Sequence, residues 1–237
     1  MDVFKLIKFI GSKNPNYEFD KIQKHLPLKP IKNEGMLDDN GLMQGMWGHY
    51  TNYGSYLDFD VLRFKGIFKD GKREGSWEEY WDNGKLRYKG NYKDGKKDGS
   101  WEEYYIDGKI ESKGNYKDGK RDGYWYGYNA NGNLDFKGSY KDGKQDGYWE
   151  EYYENGDLQS KGFNKDDKLD GLWVWYYPNG NLQSKGFYKN DSQYGIWTWY
   201  YPNGKLNSKG HFKDGERIGV WEWYNENGEM TSKNEYI

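Results

Sequence analysis

Tryptophan recurs in this chain with a fixed period of 24 residues, and this period limits the possible folds more than any other feature. A Tyr follows each recurring Trp by three residues, as at Tyr104, Tyr152, Tyr176 and Tyr200, and a Gly follows by seven. Such self-similarity is the signature of a repeat architecture, in which each repeat packs against its neighbours. The framework tryptophans are Trp77, Trp101, Trp125, Trp149, Trp173, Trp197 and Trp221.

One repeat has the pattern of a β-hairpin followed by a connecting turn. Aromatic residues from Trp101 onward favour a strand, and Asp107-Gly108 supplies the positive φ angle of a tight turn. A second strand is predicted from Ile110, and two Asp-Gly pairs, at 118–119 and 122–123, are expected to reverse the chain. Because a lone hairpin is marginally stable in water, neighbouring hairpins must stack. The predicted fold class is therefore all-β, an elongated single-chain solenoid or ribbon of stacked antiparallel hairpins.

The period weakens toward the N-terminus. Trp47 precedes Trp77 by 30 residues and not 24, so this unit carries an insertion of six residues. Residues 45–237 are therefore assigned to a repeat domain of about eight units, of which the first is modified. Residues 1–44 show no repeat and are interpreted as an N-terminal cap, with short helices expected at 3–10 and 17–25.

The composition argues against several classes of function. The chain has 36 Lys plus Arg and 38 Asp plus Glu, a formal net charge of -2, and no basic cluster. This balance disfavours binding to nucleic acid and to anionic membrane surfaces. No stretch approaches the ~20 apolar residues that a transmembrane helix needs, and no secretion signal is recognised. The absence of Cys fits a reducing compartment, so we expect a cytoplasmic protein.

Residues with catalytic or ligand chemistry form no recognisable site pattern. His25, His49 and His211 lie far apart and match no zinc spacing. The recurring Asp-Gly pairs are explained by turn geometry and not by calcium binding, and no Gly-rich loop precedes a helix start. We therefore predict no catalytic residue, no metal and no cofactor, and expect a protein that is not an enzyme.

The repeat resembles a known family in the run from Lys113 to Gly132, which has the form K-G-x-Y-K-D-G-K-x-D-G-x-W-x-x-Y-x-x-x-G. This run resembles the MORN repeat, and more closely its bacterial variant in the YwqK-type antitoxin family, and the resemblance covers about residues 45–237. It implies stacked antiparallel hairpins and non-enzymatic work: scaffolding and protein binding, phospholipid association in some eukaryotic members, and antitoxin or immunity roles in bacteria. The chain departs from the pattern at Asp167, Asp191 and Asn234, each in place of Gly, and we expect distorted turns there.

Specificity is expected at the positions where the repeats differ. Two residues after the framework Trp, three repeats carry Glu79, Glu103 and Glu151, and the last three carry Trp175, Trp199 and Trp223. Fourteen residues after it, Asn gives way to Phe163 and Phe187. We interpret these eight residues as candidate partner contacts on one strand face that changes from acidic to aromatic. The alternative is that the additional Trp residues thicken the core.

Three functions remain open. The leading hypothesis is an antitoxin or immunity protein that neutralises a partner toxin or effector by direct binding. A second is a MORN-type scaffold or phospholipid-associated protein, which the charge balance disfavours. A third is carbohydrate binding by aromatic platforms, as in cell-wall repeat modules.

Overall fold

The computed structural model describes residues 29–30, 35–51 and 61–237, and these contain strands and turns but no helix. They fall into two compact units, Met1–Gly108 and Lys109–Ile237, which we call the N-terminal and C-terminal units. The helices expected at 3–10 and 17–25 lie outside the described residues. The cap boundary at 44/45 stays a prediction.

Most strands pair antiparallel with the next strand in sequence within each unit, which confirms the all-β fold of stacked hairpins. In the N-terminal unit the strands are β1 Lys29–Pro30, β2 Met36–Leu37, β3 Met43–Thr51, β4 Val61–Lys69, β5 Lys72–Tyr80, β6 Leu86–Lys93 and β7 Lys96–Tyr104. In the C-terminal unit they are β8 Ile110–Lys117, β9 Lys120–Tyr128, β10 Leu134–Lys141, β11 Lys144–Tyr152, β12 Leu158–Lys165, β13 Lys168–Leu169, β14 Gly171–Tyr176, β15 Leu182–Lys189, β16 Ser192–Tyr200, β17 Leu206–Lys213, β18 Glu216–Tyr224 and β19 Met230–Tyr236. The exceptions to this sequential pairing are β1, which pairs with β3, and β14, which pairs with β12.

Two kinds of turn alternate along the chain. Asp118 and Gly119 have φ angles of 50° and 84°, the pattern of a two-residue turn whose twist matches the flanking strands. The longer loop between β11 and β12 has one positive φ, at Gly156, whose N–H donates to the Tyr153 carbonyl at 2.8 Å. Asn155 Oδ1 accepts the N–H of Asp157 at 3.0 Å and fixes the loop from inside.

The second Asp-Gly pair, at 122–123, does not reverse the chain, so that part of the prediction is wrong. Gly123 has a φ of 72° but lies inside β9, and the register with β8 shifts beside it, between Lys113 and Asn115. A Gly with positive φ absorbs the extra residues of a β-bulge without ending the strand. The strand before the framework Trp is therefore longer than predicted: β7 starts at Lys96 and not at Trp101.

The core consists of framework indoles packed on glycine backbone. Trp197 is 2% exposed, and a methyl group at Gly186 would lie 2.1 Å from Cδ2 of its ring. Gly186 also pairs across the hairpin with Trp173. The same contact recurs throughout the repeats, at Gly66, Gly90, Gly114, Gly138, Gly162 and Gly210. A bare backbone is needed at this position because the next indole occupies the space of a side chain.

A second aromatic position joins neighbouring framework indoles. Tyr92 contacts Trp77 and Trp101 edge to face, with ring centroids 5.6 Å and 5.3 Å away. In the C-terminal unit Phe212 contacts Trp197 and Trp221 in the same way, at 6.2 Å and 5.0 Å. Each such pair contributes about 0.5–1.5 kcal/mol beyond the apolar area that it buries.

Asn164 interrupts this aromatic series. It occupies the position of Tyr92 and Phe212 in its own repeat and is 6% exposed. Its Nδ2 donates to Gln145 Oε1 at 2.7 Å, but its Oδ1 has no partner. A buried acceptor without a partner costs about 1–3 kcal/mol, so this is a weak contact between hairpins.

The turns with Asp in place of Gly are not distorted, contrary to the expectation. Asp167 and Asp191 have φ angles of 67° and 70°, within the left-handed region that Gly adopts in the other repeats. Each carboxylate accepts a backbone N–H from the preceding turn, Asp167 from Gln145 and Asp191 from Leu169, both at 2.7 Å. These hydrogen bonds offset the backbone strain of a non-Gly residue. Asn234 likewise keeps the usual pairing, opposite Trp221.

We expect Gly186→Ala to lower the free energy of unfolding by about 1–3 kcal/mol, because its methyl group would overlap the Trp197 ring. Urea denaturation followed by tryptophan fluorescence measures this. Lys185→Ala, at the exposed neighbouring residue, is the control and should change the value by no more than about 0.5 kcal/mol. Equal urea midpoints for Gly186→Ala and Lys185→Ala would contradict the role of Gly186 in packing against Trp197.

We expect Asn164→Tyr to raise the free energy of unfolding by about 1 kcal/mol, because it removes a buried unpaired acceptor and restores an edge-to-face contact. Ser192→Tyr, at an exposed strand residue, serves as the control for a gain of aromatic area alone. A lower melting temperature for Asn164→Tyr than for the wild type would show that the site cannot hold a ring.

Candidate functional site

The three additional tryptophans stack on framework indoles. Trp175 lies 5.6 Å from Trp173 and 5.7 Å from Trp197, centroid to centroid, with interplanar angles of 27°. Trp199 is placed in the same way against Trp197 and Trp221, at 5.4 Å and 5.5 Å. We call the whole set the indole stack; it consists of Trp173, Trp175, Trp197, Trp199, Trp221 and Trp223.

The indole stack borders a cavity of about 400 Å³. Trp175 and Trp199 line it together with the amide side chains of Gln183, Gln193 and Asn207. All three additional tryptophans are half-buried. The alternative that they extend the core is therefore supported, although all three remain partly exposed.

The three glutamates predicted to contact a partner, Glu79, Glu103 and Glu151, each interact with a nearby side chain. Glu79 Oε1 accepts a hydrogen bond from Arg87 at 3.0 Å. Glu103 lies 3.5 Å from the Lys97 ammonium. In the C-terminal unit, Glu151 Oε2 accepts the hydroxyl of Ser160 at 2.9 Å. These contacts satisfy much of the charge that was expected to steer a basic partner.

Phe163 and Phe187 lie on the opposite face from the indole stack, so the expectation of a single face is wrong. Phe187 pairs with Leu172, whereas its neighbour Gly186 pairs with Trp173. Because successive side chains alternate between the faces of a sheet, Phe187 and Trp173 point to opposite sides. The error arose because the bulge between the strands obscures face assignment from residue spacing.

Exposed apolar side chains continue from these two residues across the C-terminal unit. Phe187 pairs with Leu172 on one side and with Tyr194 on the other. Phe163 pairs with Tyr148, and their rings meet edge to face at 5.3 Å. We call the six most exposed members the apolar row; they are 42–57% exposed and comprise Phe163, Leu172, Phe187, Tyr194, Ile196 and Val220.

Sequence reasoning missed four residues of the apolar row. Leu172, Ile196 and Val220 all immediately precede a framework Trp, where the N-terminal unit has Ser76 and Ser100. Tyr194 lies three residues before its framework Trp, at a position that is Asp or Glu in most other repeats. The change from Ser to an aliphatic residue was visible in the aligned repeats and is the signal that could have found them.

Clusters of Lys, Glu and Tyr lie on the same face as the apolar row. Hydrogen bonds from the Lys209 ammonium and then the Tyr224 hydroxyl lower the pKa of Glu222 to about 2. Glu222 Oε2 is 2.9 Å from Lys209 Nζ and accepts from Tyr224 at 2.7 Å. Burial and then a hydrogen bond to Glu150 raise the pKa of Tyr148 to about 12. These clusters fix the charged side chains in place.

The repeats match one protein-family model seven times. The model is described as a MORN repeat variant, and its matches together span well over half of the chain. The chain belongs to the MORN repeat variant family. The matched MORN repeats are residues 73–94, 97–118, 121–142, 145–165, 169–190, 193–214 and 217–237. The β3–β4 hairpin lies outside them, yet Trp47 pairs with Gly66 as Trp77 pairs with Gly90.

No curated protein is significantly similar to the chain. Among solved structures, a chain in the crystal structure of TcdB2-TccC3-Cdc42 is similar, with 10% sequence identity and a TM-score of 0.17. The similarity covers 85% of this chain and 15% of that chain, so this chain spans a small part of its length.

The part of the chain that the structure describes holds no group of three His, Asp or Glu side chains placed to share a metal ion. Its secondary structure includes no helix long and apolar enough to cross a membrane.

The low pKa of Glu222 makes one contribution to stability dependent on pH. Because the folded pKa lies below the ordinary value of 4.5, this contribution is complete above about pH 4.5 and is lost as the pH falls to about 2. We therefore expect Glu222→Gln to destabilise the protein at pH 7 and to have little effect near pH 2.

Urea denaturation of both proteins between pH 7 and pH 2 measures this difference. Glu226→Gln, at an exposed turn glutamate, is the matched control and should leave the stability profile unchanged. A difference between wild type and Glu222→Gln that is constant with pH would refute the role of the carboxylate.

Proposed function

We propose that this MORN repeat protein is a non-catalytic, protein-binding protein and that it contacts its partner through the apolar row. The observation that carries the proposal is the continuity of exposed apolar side chains on the face opposite the indole stack. Large contiguous apolar patches are rare on the free surfaces of soluble proteins and mark interaction sites. Aromatic residues such as Phe187 and Tyr194 are also among the types enriched at interfaces.

The position of the row favours a binding role over a structural one. The framework indoles on the other face are nearly fully buried and already provide the core. Removing the apolar row would therefore cost little packing. Side chains that contribute little to stability while exposing apolar surface to water are explained best by a partner that covers them.

The finer proposal is an antitoxin or immunity protein acting in the cytoplasm on a toxin or effector. It rests on the resemblance of the repeat to the YwqK-type antitoxins and on the lack of Cys. Such a protein acts by covering its partner, which requires an extended contact surface and no catalytic group.

The indole stack is a weaker candidate for the contact surface. Trp175 and Trp199 each stack against two framework indoles, so little of their ring faces is free. A sugar ring binds by lying on a free aromatic face, and this argues against the carbohydrate alternative as well. Trp175, Trp199 and Trp223 remain candidate contacts because they are partly exposed.

Co-expression with the product of a neighbouring toxin-like gene tests the proposal. We expect the wild type to co-purify with that product and to restore growth, and Phe187→Ser/Ile196→Ser to lose both effects. About 2 kcal/mol or more of binding free energy is expected from two central apolar contacts.

Tyr124→Ser is the matched control. Tyr124 is 60% exposed and immediately precedes a framework Trp, as Ile196 does, but it pairs with Ser139 and not with an aromatic residue. Its replacement should leave binding intact. Full binding by the double variant, with an unchanged melting temperature, would rule out the apolar row as the contact surface.

A further inference from the structure

Lysines lie on both sides of the apolar row. On β15, Lys185 and Lys189 lie two residues before and two residues after Phe187, so all three side chains share one face. The same arrangement occurs on β12 around Phe163 and on β17 around His211. The lysines concerned form two rows, the first of Lys161, Lys185 and Lys209 and the second of Lys165, Lys189 and Lys213.

Within the first lysine row, Lys185 lacks the acidic partner that the lysine has in other repeats, whereas Lys209 keeps one, Glu222, at 2.9 Å. In other repeats a Glu one residue after the framework Trp pairs with the lysine, as in Lys89–Glu102 at 2.9 Å and Lys137–Glu150 at 2.7 Å. Val174 and Thr198 replace that Glu on β14 and β16, and these are the residues paired with Lys185. Among the described residues, Lys185 therefore has no carboxylate partner.

The nearby acidic residues of the turns are occupied. Asp167 and Asp191 each accept a backbone N–H through their carboxylates. Asp170 Oδ2 accepts the N–H of Asn190 at 3.3 Å. Lys185 and Lys189 thus border the centre of the apolar row while these three turn carboxylates accept backbone N–H groups. A partner needs apolar side chains at its centre and carboxylates on both edges.

The dimensions of this surface fit an α-helix that crosses the strands. The row extends over β12 and β14–β18, and five spacings of ~4.8 Å between these strands give a length of roughly 24 Å. The two lysine rows are separated by four residues along a strand, or ~13 Å. A helix about 10–12 Å wide, with about 16 residues in 24 Å, fits between them.

We infer that the segment of the partner that binds here is an acidic amphipathic helix of about four to five turns. This inference rests on the proposed protein-binding function. The helix places its apolar stripe on the apolar row, and carboxylates on each side of the stripe pair with the two lysine rows. A second copy of this chain bound by the same face is disfavoured, because lysines would meet lysines.

Fluorescence anisotropy with a labelled synthetic peptide tests the inference. The probe is a helix-forming peptide of about 18 residues with Leu spaced as on one helical face and Glu on both flanks. We expect the wild-type protein to bind it, and Lys185→Glu/Lys189→Glu to bind at least about tenfold more weakly. A peptide with Lys in place of every Glu should not bind the wild type, but should bind the charge-reversed variant.

Lys141→Glu is the matched control. Lys141 occupies the same position in its repeat as Lys189, but the residue two before it is Ser139 and not Phe. This variant should bind the acidic peptide within about twofold of the wild type. Circular dichroism and melting temperatures establish that both variants fold.

Three results would overturn the inference. The first is equal binding of the acidic peptide by Lys185→Glu/Lys189→Glu and the wild type, or no binding at all. The second is lysine-dependent capture by anionic phosphatidylserine vesicles without peptide binding, which would assign the surface to a membrane. The third is a dimer in light scattering that Phe187→Ser/Ile196→Ser abolishes. If the first result occurred while that apolar variant still lost its co-purifying partner, protein binding would stand and only the acidic helix would be rejected.

Discussion

Trp197 lies against the backbone of Gly186, and the equivalent pair recurs in every MORN repeat of the chain. Several other features depend on this contact. It requires Gly after Lys, because any side chain would overlap the ring, and it links each hairpin to the next, since the indole of one repeat covers the Gly of the one before. It also commits one face of every strand to packing. Trp and Gly recur at these positions because no larger side chain fits beside the indole.

Because one face carries the aromatic packing, several positions of the other face are free to vary between repeats. In the N-terminal unit that face holds small polar side chains such as Ser76 and Asn91, whereas the corresponding positions in the C-terminal unit hold Leu172 and Phe163. These changes leave the framework contacts untouched. A repeat built in this way places its aromatic packing on one face, so new binding surfaces can arise on the other by substitutions that cost little folding free energy.

The hairpins, their stacking and the framework positions could be predicted from the sequence, because period, aromatic content and turn residues all pointed to one fold. Three things could not. Gly123 looked like a turn residue because positive φ is shared by turns and bulges, and only pairing distinguishes them. The bulges in turn hid which face Phe163 and Phe187 occupy. Asp167 and Asp191 looked disruptive because spacing does not show that a carboxylate can cap a neighbouring turn.

Asn164 has a consequence for how the C-terminal unit opens. In an array of repeats, stability is approximately a sum over repeats and the interfaces between neighbours. The edge-to-face series that runs from Trp125 through Tyr140 to Trp149 ends at Asn164 and resumes at Tyr188, which contacts Trp175 and Trp197. Local unfolding follows the weakest interface. We therefore expect the repeats on either side of Asn164 to open as separate blocks, with the boundary on β12, the strand that also carries Phe163.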